Sequence, residues 1–199
     1  MSVYNEVQNT LHFFKDFYKK NVPKMLEPER MFKPFSNEDL KVIETTMSVT
    51  LPEDYKVFLS VADIKISIDG NFDIENVSEV LANWNAIKNW IENDSTRNRN
   101  KEDLACNFGV KERIIKNQWL NINWVPFASD GGGNMKCLDL DPAENGTVGQ
   151  VLDLENQDGS GPQYTKSSSF LHYLNVQKEL ILQKKYTMED GFLSINSYL

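Results

Sequence analysis

The sequence of 199 residues is poor in the residue types on which most catalytic and metal sites depend, because it contains only two histidines and two cysteines. His12 and His172 stand far apart, and Cys106 and Cys137 lack the short spacing of a zinc-binding pair. We therefore expect no metal site, no cofactor, no catalytic residue and no enzymatic activity. So few cysteines are typical of a protein in a reducing compartment, where they are free and mostly buried thiols. The sequence does not decide whether Cys106 and Cys137 form a disulfide.

An excess of positive charge and a long apolar run are also missing. The 29 acidic and 21 basic residues give a formal net charge of -8, which argues against a nucleic-acid partner because such proteins need a basic face. No apolar stretch approaches the ~20 residues needed to span a bilayer. Residues 1–6 lack the basic and then apolar pattern of a signal peptide. We expect a cytoplasmic protein that does not bind membranes.

The apolar periodicity predicts helices first and strands later. An amphipathic helix is expected over residues 3–20, and Ser36 with Asp39 predicts a capping box at the start of a second helix. Residues 64–74 alternate apolar and polar around Asp69-Gly70, which predicts a β-hairpin.

Further along, we expect a polar loop over 93–103, a short helix near 110–118 and strands around Trp124 and residues 150–154. A serine-capped helix should begin near Phe170, after a loop at 158–162, and residues after Tyr186 have no clear pattern.

This order predicts an α+β fold with a largely antiparallel or mixed sheet wrapped by N- and C-terminal helices. We divide the chain into an N-terminal helical extension over 1–35, an α+β domain over 36–185 and a C-terminal tail over 186–199. The length is compatible with one such domain and a sizeable core.

Residues 124–142 are the most informative segment, since two short apolar stretches flank a glycine-rich turn. The run Gly131-Gly132-Gly133-Asn134 lacks the Lys-Ser/Thr of a phosphate-binding loop and leads into a strand, so a turn is expected. In the strand that follows, Lys136 and Asp139 are expected to face water. A calcium loop beginning at Asp139 fails because its sixth position is not glycine. Asp130 and Asp139 are the one pair of carboxylates that we keep as a candidate for acid–base catalysis.

Acidic residues are concentrated between residues 130 and 160. This segment contains seven acidic residues and a single basic residue, Lys136, which gives a local charge of -6. If the loops that carry them converge on one side of the sheet, they form a patch that attracts a basic protein. A solvated loop face is the alternative interpretation, and the sequence leaves both open.

Three blocks of the sequence carry a family resemblance. Trp-x-Pro-Phe-Ala-x-Asp-Gly-Gly-Gly at 124–133 continues into Leu-Asp-Leu-Asp-Pro at 138–142 and Gly-Gln-Val at 149–151. Leu-Pro-Glu-Asp-Tyr-Lys-Val-Phe-Leu occupies 51–59, and Ser-Ser-Ser-Phe-Leu-His-Tyr-Leu occupies 167–174. In order and spacing these blocks resemble the SUKH superfamily, which includes fungal cell-wall synthesis regulators of the Smi/Knr type and many bacterial immunity proteins. A glycine turn that often follows the Phe-Leu helix in this family is replaced here by residues 61–63, with glycine only at Gly70.

The resemblance implies a SUKH-like fold and a non-catalytic role as an immunity protein that binds and neutralises a cognate toxin. A nuclease toxin would present a basic cleft to the acidic patch. The alternative that the resemblance allows is a Smi/Knr-type regulatory scaffold that binds signalling or cell-wall synthesis proteins. A small hydrolase or nucleotide-binding protein has little support. The candidate partner-binding residues, chosen from charge, are Trp124, Asp130, Asn134, Asp139, Asp141, Glu144, Asp153, Glu155 and Asp158.

Overall fold

The computed structural model describes residues 2–68, 72–93, 104–156, 159–189 and 192–195. Within these residues the helices are α1 (Val3–Asn21), α2 (Asn37–Met47), α3 (Glu53–Val61), α4 (Val77–Asn93) and α5 (Phe170–Leu182). The strands are β1 (Ser67–Ile68), β2 (Phe72–Ile74), β3 (Trp124–Ser129), β4 (Met135–Asp139), β5 (Gln150–Glu155), β6 (Gly161–Ser167), β7 (Tyr186–Glu189) and β8 (Phe192–Ile195). The predicted Asp69-Gly70 turn and residues 94–103 of the predicted polar loop lie outside the described residues.

The helix starts follow the capping chemistry of the sequence. The Ser36 side chain accepts a hydrogen bond from the Asp39 backbone, and the Asp39 carboxylate accepts one from the Ser36 backbone at 2.8 Å, which confirms the capping box. Ser169 caps α5 in the same way by accepting from the backbone of His172. These bonds satisfy amides that the first helical turn leaves without a partner.

The sheet is antiparallel with strands in the order β1-β2-β3-β4-β5-β6, and β7 pairs with β8 in a separate two-stranded antiparallel sheet. The α+β class and the antiparallel sheet are confirmed. The sequence interpretation missed β6, because it placed Gly161-Pro162 in a loop, and it left β7 and β8 unassigned. It also placed a helix at 110–118, which is wrong because this segment is a series of turns.

The turns at 110–118 have a local cause in Gly109. Its φ is +98°, and a Cβ at this position would lie 2.6 Å from the Tyr164 Cβ. The carbonyl of Gly109 accepts hydrogen bonds from the backbones of both Ile114 and Ile115, so the chain folds back on itself instead of continuing as a helix. Only glycine combines this backbone conformation with so close an approach.

Both faces of the central sheet are covered. One face contributes Phe127, Leu138 and Val151 to a core shared with α1, α3 and α5. The other face packs its own apolar residues against α4 and the segment at 104–120, and those residues are Trp124, Met135, Cys137, Leu152 and Leu154.

Because both faces are covered, β4 is buried at all five positions. The expectation that Lys136 and Asp139 face water is therefore wrong, since they are 1% and 0% exposed. Successive side chains of a strand point to opposite faces of the sheet. When both faces are covered, both sets of side chains are buried, and neither set reaches the solvent.

The three blocks of the sequence resemblance meet at one aromatic side chain. The Phe170 ring lies 4.9 Å from the ring centroids of both Tyr55 and Phe58, and 5.2 Å from that of Phe127. Each block thus contributes at least one ring to the same aromatic cluster, with two rings from the block at 51–59, so the three blocks pack together in the fold.

Residues of α1 belong to the same core. Phe14 and Tyr18 are fully buried, and the Tyr18 hydroxyl donates to the Ser67 carbonyl and accepts from the Ser67 amide, both at 3.1 Å. α1 is thereby fixed to the first strand of the sheet. The division of the chain at residues 35 and 185 stays a prediction.

Candidate functional site

The glycine-rich segment closes the β3–β4 hairpin through Asp130. Its Oδ1 accepts hydrogen bonds from the backbones of Gly132 at 2.7 Å and Asn134 at 3.1 Å, and its Oδ2 accepts one from the Asn134 side chain at 2.9 Å. Asn134 Oδ1 accepts in turn from the backbone of Asn156 at 2.9 Å. Asp130 and Asn134 therefore hold the turn and the end of β5 together, as short polar side chains do in turns.

At the opposite end of the hairpin, Asp139 is a buried carboxylate held by donors. Trp124 Nε1 lies 3.2 Å and the Asp141 amide 3.0 Å from Oδ1, while Gln150 Nε2 lies 2.9 Å from Oδ2. Burial raises the pKa of Asp139, and these three hydrogen bonds oppose that rise. Trp124 and Gln150 are its cross-strand neighbours, so the network joins three adjacent strands.

Glu75 is a second buried carboxylate, and the sequence interpretation missed it. Both of its oxygens lie 2.7 Å from Asn83 Nδ2, and Ser129 Oγ donates to one of them. Burial raises the pKa of Glu75, while the bonds from Ser129 and Asn83 act in the opposite direction. A lone glutamate after a strand reads as a surface residue, so the pattern offered no signal.

The stability of the protein should depend on pH through Glu75. Because its pKa is raised in the folded state, the folded state holds the proton more tightly than the unfolded one, and stability falls as pH rises above about 4.5. We expect Glu75→Gln to make the loss of stability between pH 4.5 and pH 7 smaller, as measured by urea unfolding at each pH. Glu38→Gln, at an exposed position, should keep the wild-type dependence, and an equal dependence in both variants would contradict the assignment.

The predicted acidic patch is neutralised in part by bases that the window of 130–160 did not include. Glu144 pairs with Arg113 at 2.5 Å, and Asp141 accepts hydrogen bonds from Lys116 and Asn121. Partial burial acts to raise the pKa of Asp141, but these bonds outweigh it and leave that pKa lowered. Asp153 pairs with Lys136 across the two strands, with Nζ and Oδ1 2.6 Å apart.

The acids also lie at two different ends of the sheet. Asp130, Asn134 and Glu155 flank the end where β4 begins, whereas Asp141 and Glu144 follow the end where β4 stops. Four residue steps along β4 correspond to roughly 13 Å. The acids are therefore not gathered at one end of the sheet, and Asp130 and Asp139 do not form an acid–base pair.

Two of the nine candidate partner-binding residues are inaccessible to a partner. Trp124 and Asp139 are both 0% exposed, so their selection as contact residues is wrong. Both side chains instead lie on the sheet face that packs against α4 and the segment at 104–120. Asp158 lies outside the described residues.

A different surface brings acidic and apolar groups together, and we call it the three-helix groove. It has a volume of 540 Å³ and is lined by the first turns of α1, α3 and α5 and by Val148 and Gly149 of the β4–β5 loop. Glu6, Glu53 and Asp54 supply its carboxylates. Glu53 and Asp54 lie in the first turn of α3, where negative charge is favourable.

The groove is held by hydrogen bonds between its three helices. Asp54 Oδ2 accepts from the Leu171 backbone at 2.9 Å, and Glu6 Oε1 accepts from Asn175 Nδ2 at 3.2 Å. The Glu53 carboxylate remains accessible to a binding partner, because its side chain is 73% exposed and its oxygen lies 3.7 Å from Lys56 Nζ. Val148 is 64% exposed at the rim. The groove can thus receive a cationic and partly apolar group.

The histidines and cysteines have local roles. His12 pairs with Asp16 one turn later on α1, and His172 Nδ1 accepts from the Ser168 backbone at 3.2 Å. Both cysteines are free: Cys137 is buried as expected, whereas Cys106 is exposed. Across the described ranges, no group of three or more His, Cys, Asp or Glu side chains is placed to hold a metal ion.

None of the described helices combines the length and the apolar character that a membrane crossing requires. A search of curated proteins found no match to this chain. The model of the SMI1 / KNR4 family (SUKH-1) matches residues 34–176, which include the three blocks and the strands from β1 to β6. The chain belongs to the SMI1 / KNR4 family (SUKH-1).

Proposed function

We propose that this protein is a non-catalytic, cytoplasmic immunity protein that binds a cognate toxin and neutralises it by covering its working surface. The resemblance supplies the class of role, because bacterial SUKH proteins are commonly encoded beside toxins. The observation that carries the proposal is the three-helix groove, where three carboxylates lie beside exposed apolar side chains.

Such a surface suits a basic protein partner. Protein interfaces combine apolar anchors with a polar rim, and complementary charge raises the rate of encounter. Val3 and Val148 are exposed and supply apolar contact area, while Glu53 supplies an accessible negative charge. The net charge of -8 acts in the same direction over longer distances. A nuclease toxin fits these requirements because its cleft must be basic.

The proposed contact surface includes the three-helix groove and the adjoining β4–β5 loop. The β4–β5 loop that supplies Val148 also carries Asp141 and Glu144, so these two residues stay candidates for the same contact. Asp130, Asn134 and Glu155 lie at the other end of the sheet, and the proposed contact surface does not include them. Asp153 is paired with Lys136 beneath α5.

Rescue from toxicity tests the proposal directly. The chain would be co-expressed with the C-terminal domain encoded by the neighbouring gene, and survival together with a complex that persists through gel filtration is expected. Killing without rescue, and without complex formation, would contradict the immunity role. Binding to several host proteins without rescue would favour the regulatory scaffold.

Charge reversal in the groove should slow association with the toxin. We expect Glu53→Lys to reduce the association rate constant by about tenfold at low salt and by less at 0.5 M salt, because steering is screened by ions. Stopped-flow or biosensor kinetics at both salt concentrations would measure this. Glu38→Lys is a matched control, since Glu38 is also an exposed glutamate in a first helical turn. Equal rates for the two variants would show that another surface meets the toxin.

A further inference from the structure

The strand β7 has a strand neighbour on one side only. It pairs with β8 in a regular register without a bulge, and β8 in turn lies against β1 and α5. Across the residues that the structure describes, no backbone hydrogen bond joins residues 186–188 to any segment other than β8. A strand edge of this kind is a template for another strand, and proteins usually block such edges with bulges, prolines or charges. Residues 186–188 contain neither a proline nor a charge.

One apolar side chain of β7 is left uncovered by the core. Tyr186 lies opposite Ile195, and Met188 lies opposite Leu193. Opposite residues share one face of a sheet, and both β8 residues are at most 2% exposed, so this face is directed towards the core. Tyr186 packs on Phe17 of α1, with ring centroids 5.3 Å apart, but Met188 is 46% exposed. A strand added along the free edge would cover Met188 and continue the apolar face.

The residues at the two ends of β7 make the strand complementary to itself. Lys185 directly precedes the strand, Glu189 is its last residue, and Thr187 lies midway between them. When two copies pair antiparallel about Thr187, Lys185 of each copy lies opposite Glu189 of the other, and Tyr186 lies opposite Met188. Opposite charges directly across two strands stabilise their pairing, and like charges destabilise it.

The same residues disfavour the other registers. A shift by two residues places Lys185 opposite Thr187 or beyond the end of β7, and parallel pairing in register places it opposite another lysine. A shift by one residue would turn the apolar face of one copy to the opposite side of the sheet. A two-fold symmetric pair uses the same surface on both copies, so the favourable contacts of the central register all form twice.

We propose that two copies of this chain associate through the free edge of β7 and form a four-stranded antiparallel sheet in the order β8-β7-β7-β8. Met188 of each copy packs against Tyr186 of the other, since sulfur makes favourable contacts with aromatic rings. The interface lies away from the three-helix groove, because Phe17 follows Glu6 by 11 positions on α1, which corresponds to about 16 Å. The proposal is therefore independent of the toxin-binding role.

Sedimentation equilibrium of the full chain tests the association. Small interfaces bind weakly, so we expect the average mass to rise from that of one chain towards that of two between about 10 µM and 1 mM. A chain that is still monomeric at about 1 mM would overturn the proposal and leave the β7 edge to a strand of another protein.

A charge exchange tests the complementarity. Lys185→Glu and Glu189→Lys should each weaken self-association by about tenfold, because both cross-strand pairs then carry like charges. An equimolar mixture of the two variants restores opposite charges and should associate as the wild type does. Lys41→Glu, at an exposed position on α2, makes the same change of charge elsewhere and should leave association unaltered. Normal self-association of either variant, or a mixture that stays monomeric, would overturn the proposal.

Disulfide trapping tests the register in a Cys106→Ser background, which removes the exposed native thiol. Thr187→Cys places two thiols directly opposite, with Cα atoms about 4.5–5.5 Å apart, a separation that a disulfide spans. Met188→Cys is the matched control, since its two copies lie diagonally at about 8 Å, which is too far. We expect a covalent dimer under mild oxidation from the first variant alone. Equal yields from both positions, or none from Thr187→Cys, would contradict the proposed pairing.

Discussion

Replacing Phe170 with alanine is expected to lower the free energy of unfolding by about 3–5 kcal/mol, the range for a buried aromatic side chain. Its ring is 0% exposed and contacts the rings of Tyr55, Phe58 and Phe127. The truncation leaves a void where α3, β3 and α5 meet, so the lost contacts belong to three elements at once.

Urea unfolding of the variant, followed by tryptophan fluorescence and circular dichroism, would measure this loss. Leu182→Ala lies on the same helix at a position that is 55% exposed, and it should change the stability by less than about 0.5 kcal/mol. A loss below about 1 kcal/mol for Phe170→Ala would mean that the three blocks do not depend on their common contact.

The second large effect is expected at Asp139. Asp139→Ala should cost about 3 kcal/mol or more, because Trp124, Gln150 and the Asp141 amide all lose their shared acceptor inside the fold. The substitution removes a charge that is itself costly to bury, but the unsatisfied donors outweigh this gain.

Asp141→Ala is the matched control, since it changes the same residue type two positions later. The Asp141 carboxylate is partly exposed, with 34% of its side chain open to solvent, and pairs with Lys116, so its loss should cost only about 0.5–1 kcal/mol. Both values would come from chemical unfolding at pH 7. If the two substitutions cost the same, the buried network does not have the stabilising role that its geometry indicates.

Local chemistry made part of the fold predictable. Short-range sequence patterns predicted three features that the structure contains. These features are the capping box of Ser36 and Asp39, the apolar spacing of α1 and the strand at Trp124. The hairpin pairing of β1 with β2 was predictable for the same reason, because the alternation of Ile64 and Ile66 continues into it.

Long-range covering of the sheet could not be predicted in this way. Lys136 is charged, and charged residues are rarely buried, yet the partners that accommodate it, Asp153 and the Phe72 ring, come from other strands. Gly161-Pro162 resembles a loop, but at Gly161 a side chain would lie 2.6 Å from Leu104, so the strand is set by an approach that no local pattern contains.

The candidate site was less predictable than the fold, because a count of charges along the chain omits their partners. Arg113 and Lys116 lie outside the acidic window but pair with Glu144 and Asp141 within it. The groove was missed for the complementary reason, since Glu6 and Glu53 are 47 positions apart and only the packing of α1 against α3 brings them together.

The hydrogen bond from the Leu171 amide to Asp54 joins residues 117 positions apart, and this separation constrains the order of events during synthesis. α3 emerges from the ribosome early, yet Tyr55 and Phe58 lack their contacts with Phe170 until α5 has been translated. Chains rich in such distant contacts fold slowly, because a long loop must close before its contacts are gained. Until α5 is translated, the nascent chain therefore exposes the apolar surface that Phe170 later covers, and an incomplete chain with such a surface is prone to aggregate.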